Sequence, residues 1–296
     1  MATTVTASET TTTQDHIVAH VRPAGQASRQ AVVALMARDL TVLWKNKAEV
    51  VIRTIVQPFL LVFVFLYVFP TIGQGIGSGG GAAGESAFAT VLVAGVVGVT
   101  IMMQGIQSVA MPLSAEFGYT REIEDRVQAP CPVSLVALAK VLSGSIQGML
   151  AALIVFPIAA VVHAKNVHVH LSIHWLPLLT IIPLACVAFS ALGLFLGTKF
   201  EPRNIGLMFG FIVLPITFLG GVYYAWTTLA PVKVGGFHWL QTVVLVNPLI
   251  YVTEGMRAAL TKAPHMHLYV VYPVLIGACA LFLYLGLKGF RKRVLS

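Results

Sequence analysis

Residues 237–260 read FHWLQTVVLVNPLIYVTEGMRAAL. At 1.5 Å rise per residue, about 20 residues of helix cross a ~30 Å hydrocarbon core, so this stretch is long enough to span. Whether it does decides if the chain crosses a membrane six times or seven, and on which side it ends. Three features speak against a crossing. Asn247-Pro248 breaks the middle of the stretch. Glu254 and Arg257 lie in its second half, and a charge at a helix centre costs about 2.5–3.5 kcal/mol on an insertion scale. A seventh crossing would also carry the basic cluster Lys288, Arg291, Lys292 and Arg293 to the side opposite most other basic residues. The stretch therefore reads as a re-entrant or interfacial helical hairpin on the outer face.

On either side of it the chain is dominated by apolar runs. Six segments contain no Asp, Glu, Lys, Arg or His: 54–72, 88–111, 141–162, 175–197, 205–226 and 268–287. Each has the length of one crossing. Pro58, Pro157, Pro183, Pro215 and Pro273 fall inside them, which membrane helices tolerate because neighbours satisfy the freed carbonyls. The whole chain agrees with this pattern: of 296 residues 57% are hydrophobic and only 10% charged, against about 25% charged in a soluble domain. Mean hydropathy is +0.85. A soluble enzyme, a disordered chain and a disulfide scaffold are excluded; the three cysteines, Cys131, Cys186 and Cys279, are far apart and read as apolar fillers.

The net charge of +8 would suggest nucleic acid in a soluble protein, but here the basic residues flank apolar runs. They read as topology signals and contacts to membrane lipids, with no nucleic-acid partner. In a six-crossing arrangement Arg22, Arg29, Arg38, Lys45, Lys47, Arg53, Arg121, Arg126, Lys140, Lys199, Arg203 and the C-terminal cluster share one side. Only Lys165, Lys233, Arg257 and Lys262 fall on the other. The positive-inside rule places both termini in the cytoplasm.

Outside the runs, residues 1–27 are rich in Thr and Ser and read as a disordered cytoplasmic tail, with 28–296 as the membrane domain. In 29–50, Val33, Met36, Leu40 and Leu43 recur at helical spacing beside Trp44, with Arg38, Asp39, Lys45 and Lys47 around them. This predicts an amphipathic helix in the inner interface. Residues 112–140 form the largest cytoplasmic loop, with Glu116, Arg121, Glu122, Glu124, Asp125 and Arg126 packed into eleven residues. Such a helix is polar on most faces and meets water or a protein partner. The Gly-rich stretch 73–87 contains Gly75-x-Gly77-x-x-Gly80, but it follows a membrane run and opens no βαβ unit, so it reads as a linker. Seven of nine histidines lie on the outer side: His163, His168, His170, His174, His238, His265 and His267. No carboxylate accompanies them to orient an imidazole on a metal, and they read as interfacial polar residues.

No HExxH, G-x-S-x-G, nucleotide loop or paired carboxylate occurs near a run. Without an ionisable group inside a run there is no intramembrane acid, base or proton relay, which disfavours both an enzyme and a proton-coupled carrier. The runs instead hold Gln57, Gln104 and Gln107 with aromatics, among them Phe59 and Phe63 at i and i+4 and Phe218. That lining suits a large, mainly apolar cargo. Gly144-xxx-Gly148, Gly193-xxx-Gly197 and Gly206-xxx-Gly210 mark close helix approach, either within the chain or between copies. The pattern is a pathway whose motor lies on another chain.

At this point the sequence resembles a known family, the ATP-binding-cassette type-2 exporter permeases of the daunorubicin-resistance kind. The likeness rests on Phe218-Leu-Gly-Gly-Val-Tyr-Tyr before Leu229-Ala-Pro, and on Asn247-Pro-Leu-Ile-Tyr251 followed by Glu254 and Arg257. The second resembles the family's Asn-Pro-Leu-x-Tyr … Arg signature. The layout adds to it, with a charged loop between runs two and three closing at Pro132-Val-Ser134. The resemblance implies an all-α integral membrane protein with six transmembrane helices, an N-terminal interfacial helix and an outer re-entrant hairpin between helices 5 and 6. Asn247, Pro248, Tyr251, Glu254 and Arg257 belong to that hairpin, and Glu254 and Arg257 at i, i+3 are placed to pair. It implies that Glu116 to Arg126 couples to a cytoplasmic ATPase subunit that binds ATP and Mg, this chain holding no cofactor. Here the stretch reads Glu116-Phe-Gly118-Tyr-Thr in place of the family's Glu-Arg-Gly-Thr-Leu-like pattern. It further implies a second permease copy or a homologous permease, and export of a drug, lipid or natural product across a bacterial cytoplasmic membrane. The alternatives are a polysaccharide or lipid-linked glycan as cargo, and a membrane enzyme or structural subunit.

Overall fold

The computed structural model describes residues 24–72, 82–120, 132–162, 169, 171–232 and 238–295. The Thr-rich segment 1–23, most of the Gly-rich linker, the loop centre 121–131 with Cys131, and His163, His168 and His170 lie outside the described residues.

Among the described residues the secondary structure is entirely helical. Helix α1 covers Ala24–Lys45. Helix α2, Lys47–Val62, continues beyond the internal Pro58 through a π-helical stretch Phe63–Val68 to Phe69–Thr71. Helix α3 is Ala82–Ala115, followed by a π turn Glu116–Thr120. Helix α4 is Val133–Val161, starting directly after Pro132, and α5 is Trp175–Lys199. Helix α6, Pro202–Phe218, is apolar and widened by a π stretch at Phe209–Val213. Two short helices follow, α7 at Trp239–Val244 and α8 at Pro248–Leu260. Helix α9 covers Leu268–Leu295. Pro157, Pro183 and Pro273 sit inside α4, α5 and α9 without ending them.

Among the described residues five helices are long and apolar enough to cross a bilayer: Thr54–Thr71, Gly84–Gly118, Val133–Val161, Trp175–Lys199 and Leu268–Val294. They match five of the six runs read from sequence. Several extend past the charge-free runs, so that Glu116 and Lys140 belong to helical ends. The run 205–226 behaves differently. Its helix stops at Phe218, and Leu219–Gly221 turn the chain, with Gly221 at φ +63°. That left-handed conformation disfavours any side chain.

Helices α3 and α5 form the centre and are mostly buried, whereas α9 is largely exposed. Helix α4 packs on both, α9 on α5, and α2 on α3 and α4. Helix α1 rests on α4, with Leu35 joining a small cluster around Val109, Leu113, Val141, Leu194 and Phe290. Its Trp44 is exposed.

The stretch that decided the topology forms two helices, of 6 and 13 residues. Neither has the length of a crossing. Helix α8 is inserted among α3, α5 and α9, and every residue from Leu249 to Leu260 is buried.

Candidate functional site

The break after α6 leaves backbone groups without helical partners, and residues of α7 and α8 supply them. Asn247 N-caps α8, its Oδ1 accepting from the Leu249 N–H at 2.9 Å. Its Nδ2 donates to the Ile216 carbonyl of α6 at 2.6 Å. Pro248 occupies the first turn of α8, where a missing N–H costs nothing. The Tyr251 hydroxyl donates to the Leu245 carbonyl at 2.9 Å, and Thr253 Oγ1 donates to the Gly220 carbonyl at 2.7 Å.

Glu254 and Arg257 complete the arrangement, both fully buried. Arg257 Nη1 meets Glu254 Oε1 at 2.9 Å, the i, i+3 pair expected from sequence. Arg257 Nη2 donates to the Gly221 carbonyl. Glu254 Oε1 also accepts from the Trp226 N–H at 2.7 Å, and its Oε2 from the Met266 N–H at 2.8 Å. One ion pair thus binds the turn after α6, the segment at Trp226 and the strap leading into α9. Most of the pair's remaining hydrogen-bonding capacity is used in this way, which a buried pair requires; Arg257 Nε is buried without a partner. The turn also presses on α3, for a Cβ at Gly95 would collide with the Val222 carbonyl.

A second buried pair lies at the opposite ends of the helices. Lys140 Nζ of α4 meets Glu116 Oε1 at 2.7 Å. These residues flank the charged loop on its two sides, so the pair joins the loop's two ends. Beside it, Phe117 packs against Phe290 of α9, with centroids 5.9 Å apart. The Arg293 guanidinium lies 4.7 Å from the Phe117 ring centroid. Arg293 Nη1 also donates to the Thr198 carbonyl at 2.8 Å, capping the last turn of α5. The loop's base is therefore one packed unit of α3, α4, α5 and α9. Arg121, Glu122, Glu124, Asp125 and Arg126 lie outside the described residues.

The path residues separate into two groups. Phe59 and Phe63 stack with centroids 5.7 Å apart, and Tyr67 extends the ladder at 5.3 Å. Phe59 and Tyr67 are exposed, as is Phe218 of α6; Gln57 is half-buried. Gln104 is buried and faces Thr54 at 3.5 Å, while Gln107 is half-buried on α3. Gln104 thus ties α2 to α3 and is set apart from the exposed ladder.

Three contributors were not legible as site residues. Lys140 and Arg293 look like topology charges in the sequence, and Thr253 looks like packing. The available signal was weak: Lys140 stands at the very edge of an apolar run, 24 residues from its acidic partner. Among the described residues no group of three His, Cys, Asp or Glu converges to hold a metal.

A helical bundle of membrane-crossing length, with polar side chains spent on a broken helix and on the base of one loop, fits an integral membrane protein. The chain belongs to the ABC-2 type transporter family, whose domain matches residues 30–261. It is similar to the inner membrane transport permease YadH of Escherichia coli K12, 27% identical over 188 residues, which are 62% of this chain and 68% of that protein. YadH of Shigella flexneri matches with the same identity and coverage.

Proposed function

We propose that this chain is the membrane subunit of an ATP-driven exporter in a bacterial inner membrane, moving a hydrophobic drug, lipid or natural product outward. Family membership over residues 30–261 carries the reading, and the permease named among its relatives supports the inner-membrane placement. Both termini face the cytoplasm, as the basic residues indicate. Helix α6 and the turn behind it make the remaining crossing, and α7 with α8 form the outer re-entrant hairpin, locked by Glu254 and Arg257.

In this reading the stretch Glu116 to Arg126 docks on a cytoplasmic ATPase that binds ATP and Mg. Movement of the loop passes through the Glu116–Lys140 pair into α3 and α4, and through Phe117 and Arg293 into α5 and α9. A second permease copy, or a homologous permease, meets this one along α2 and α6. Both helices carry outward apolar side chains there: Val56, Phe59 and Leu60 on one, Leu207, Phe211 and Phe218 on the other. The stacked ladder of Phe59, Phe63 and Tyr67 also favours one alternative cargo, a lipid-linked glycan, since sugar faces pack on aromatic rings.

The test is reconstitution with the ATPase that copurifies. Reversing Glu122, Glu124 and Asp125 to Lys is expected to abolish ATP-dependent transport and ATPase association while membrane insertion persists. Undiminished ATPase association in that variant defeats the docking assignment. Solute pumping by this chain alone, on a pH gradient, defeats the exporter reading altogether.

A further inference from the structure

The cavity that the transport reading leaves unused lies where α5 and α9 begin, at the end of the molecule opposite the loop's base. It is an open cleft of about 550 Å³ between these helices and the last turn of α8. His174, Lys262 and His265 line it together with Trp175, Leu176 and Leu268. Among the described residues that line it, none is acidic.

Several acceptors nearby are already engaged. The Ala259 and Leu260 carbonyls at the end of α8 accept from the backbone N–H groups of His174 and Ser172 at 2.7 and 2.9 Å. The Arg257 carbonyl accepts from the Thr261 N–H at 2.8 Å. Both Glu254 oxygens are held beneath the cavity by Trp226, Arg257 and Met266. The wall offers a ligand one ammonium and two imidazoles, each able to donate a hydrogen bond. Burial holds the His265 imidazole below its ordinary range, with Glu254 pulling the other way and His267, Arg257 and His174 adding to the fall. Held uncharged, His265 can still donate one N–H to an anion, and the positive charge of the wall comes from Lys262.

The rim is of opposite character. Trp175, Leu176 and Leu179 project outward from the first turns of α5, exposed by 65%, 77% and 67%. Tyr269, also exposed, stacks on His267 with centroids 5.2 Å apart. Trp and Tyr concentrate at the head-group level of a bilayer. A donor-rich cavity opening onto an apolar, aromatic-edged helix face fits a molecule with an anionic head and an apolar tail.

We propose that this cavity binds the phosphate-bearing head group of an acidic phospholipid, with the acyl chains running along Trp175, Leu176 and Leu179. The proposal rests on the membrane reading above and on neither the cargo nor the ATPase. Failure of that reading shows separately, as release of the chain from membranes by alkaline carbonate.

The experiment follows thermal unfolding of the purified full chain in detergent, titrated with phosphatidylglycerol, phosphatidylcholine or inorganic phosphate. Phosphatidylglycerol is expected to raise the melting temperature saturably, and phosphatidylcholine to leave it unchanged. Lys262→Gln is expected to weaken the phosphatidylglycerol response about fivefold, the effect of one basic group at an anionic surface. Combining it with His174→Gln and His265→Gln removes the response, while Lys288→Gln, at the other end of α9, retains it. Equal responses to the two lipids, or a wild-type response in the triple variant, overturn the proposal. A shift with inorganic phosphate as large as that with phosphatidylglycerol overturns the lipid assignment. Should the triple variant not elute as a folded species, Lys262→Gln alone decides.

Discussion

Arg257 and Glu254 occupy the position where an unpaired charge would be most costly, fully buried within the helical packing. A buried ion pair standing alone is often replaced by apolar side chains without loss. This pair differs because its outer atoms hold backbone groups of a broken helix: the Gly221 carbonyl and the Trp226 and Met266 N–H groups. Removing one partner, as in Glu254→Gln or Arg257→Met, is expected to cost about 3–5 kcal/mol. The double variant Glu254→Leu, Arg257→Met is expected to remain at least as destabilised as either single one. Each abandoned buried backbone group costs about 1–3 kcal/mol, whatever happens to the charges. Thermal unfolding of the detergent-solubilised chain checks this. Recovery of the double variant to the wild-type midpoint would show that the backbone contacts contribute nothing.

Among the elements, long apolar runs were the part most readily legible in the sequence, because hydropathy alone fixes a helix in lipid. Five of the six runs became helices of crossing length. The run 205–226 carried only a faint sign of its break, Gly220-Gly221, since no charge marks it and the groups that satisfy the break lie about thirty residues further on. Asn247 reaches Ile216, Thr253 reaches Gly220 and Arg257 reaches Gly221. The i, i+3 pairing within α8 was legible because it is local; its long-range purpose was not. The same limit hid the pair between α3 and α4. Glu116 and Lys140 look like loop charges until the helices extend to include them, and then their side chains meet at 2.7 Å in a buried setting. If this pair joins the two ends of the charged loop, Lys140→Met is expected to destabilise the chain by about 3–5 kcal/mol, the cost of a buried charge left without its partner. The exchange Glu116→Lys with Lys140→Glu is expected to regain much of that, read as the unfolding midpoint. An exchanged variant no more stable than Lys140→Met would mean that surroundings fixed to one polarity, rather than the pair, set the cost.

For the molecule as a whole, the three Gly-xxx-Gly motifs separate helix faces that are internal from those that are not. Gly144 and Gly148 of α4 face Val109 and Cys186. A Cβ on Gly193 would lie 2.8 Å from the Ile106 carbonyl oxygen, and one on Gly197 3.0 Å from the Ala110 Cα. These motifs close α3, α4 and α5 on one another, as small residues do where lipid gives no hydrophobic drive. A Cβ on Gly206 or Gly210 of α6 would meet no other element within 4 Å. They share their helix with the exposed Leu207, Phe211, Leu214 and Phe218. The two kinds of face respond differently to bulk. Gly193→Leu forces a side chain into backbone, where overpacking costs about 1–3 kcal/mol or more, and is expected to lower the yield of folded chain. Gly206→Leu and Gly210→Leu meet open space, so the unfolding midpoint of the isolated chain is expected to stay close to wild type. If α6 is where a second copy approaches, the same two substitutions hold the backbones apart. Light scattering in detergent, with crosslinking in membranes as a second readout, is then expected to show loss of self-association in a chain that still folds. Full retention of the assembled species in the Gly206→Leu, Gly210→Leu variant would move the contact to another face of the molecule.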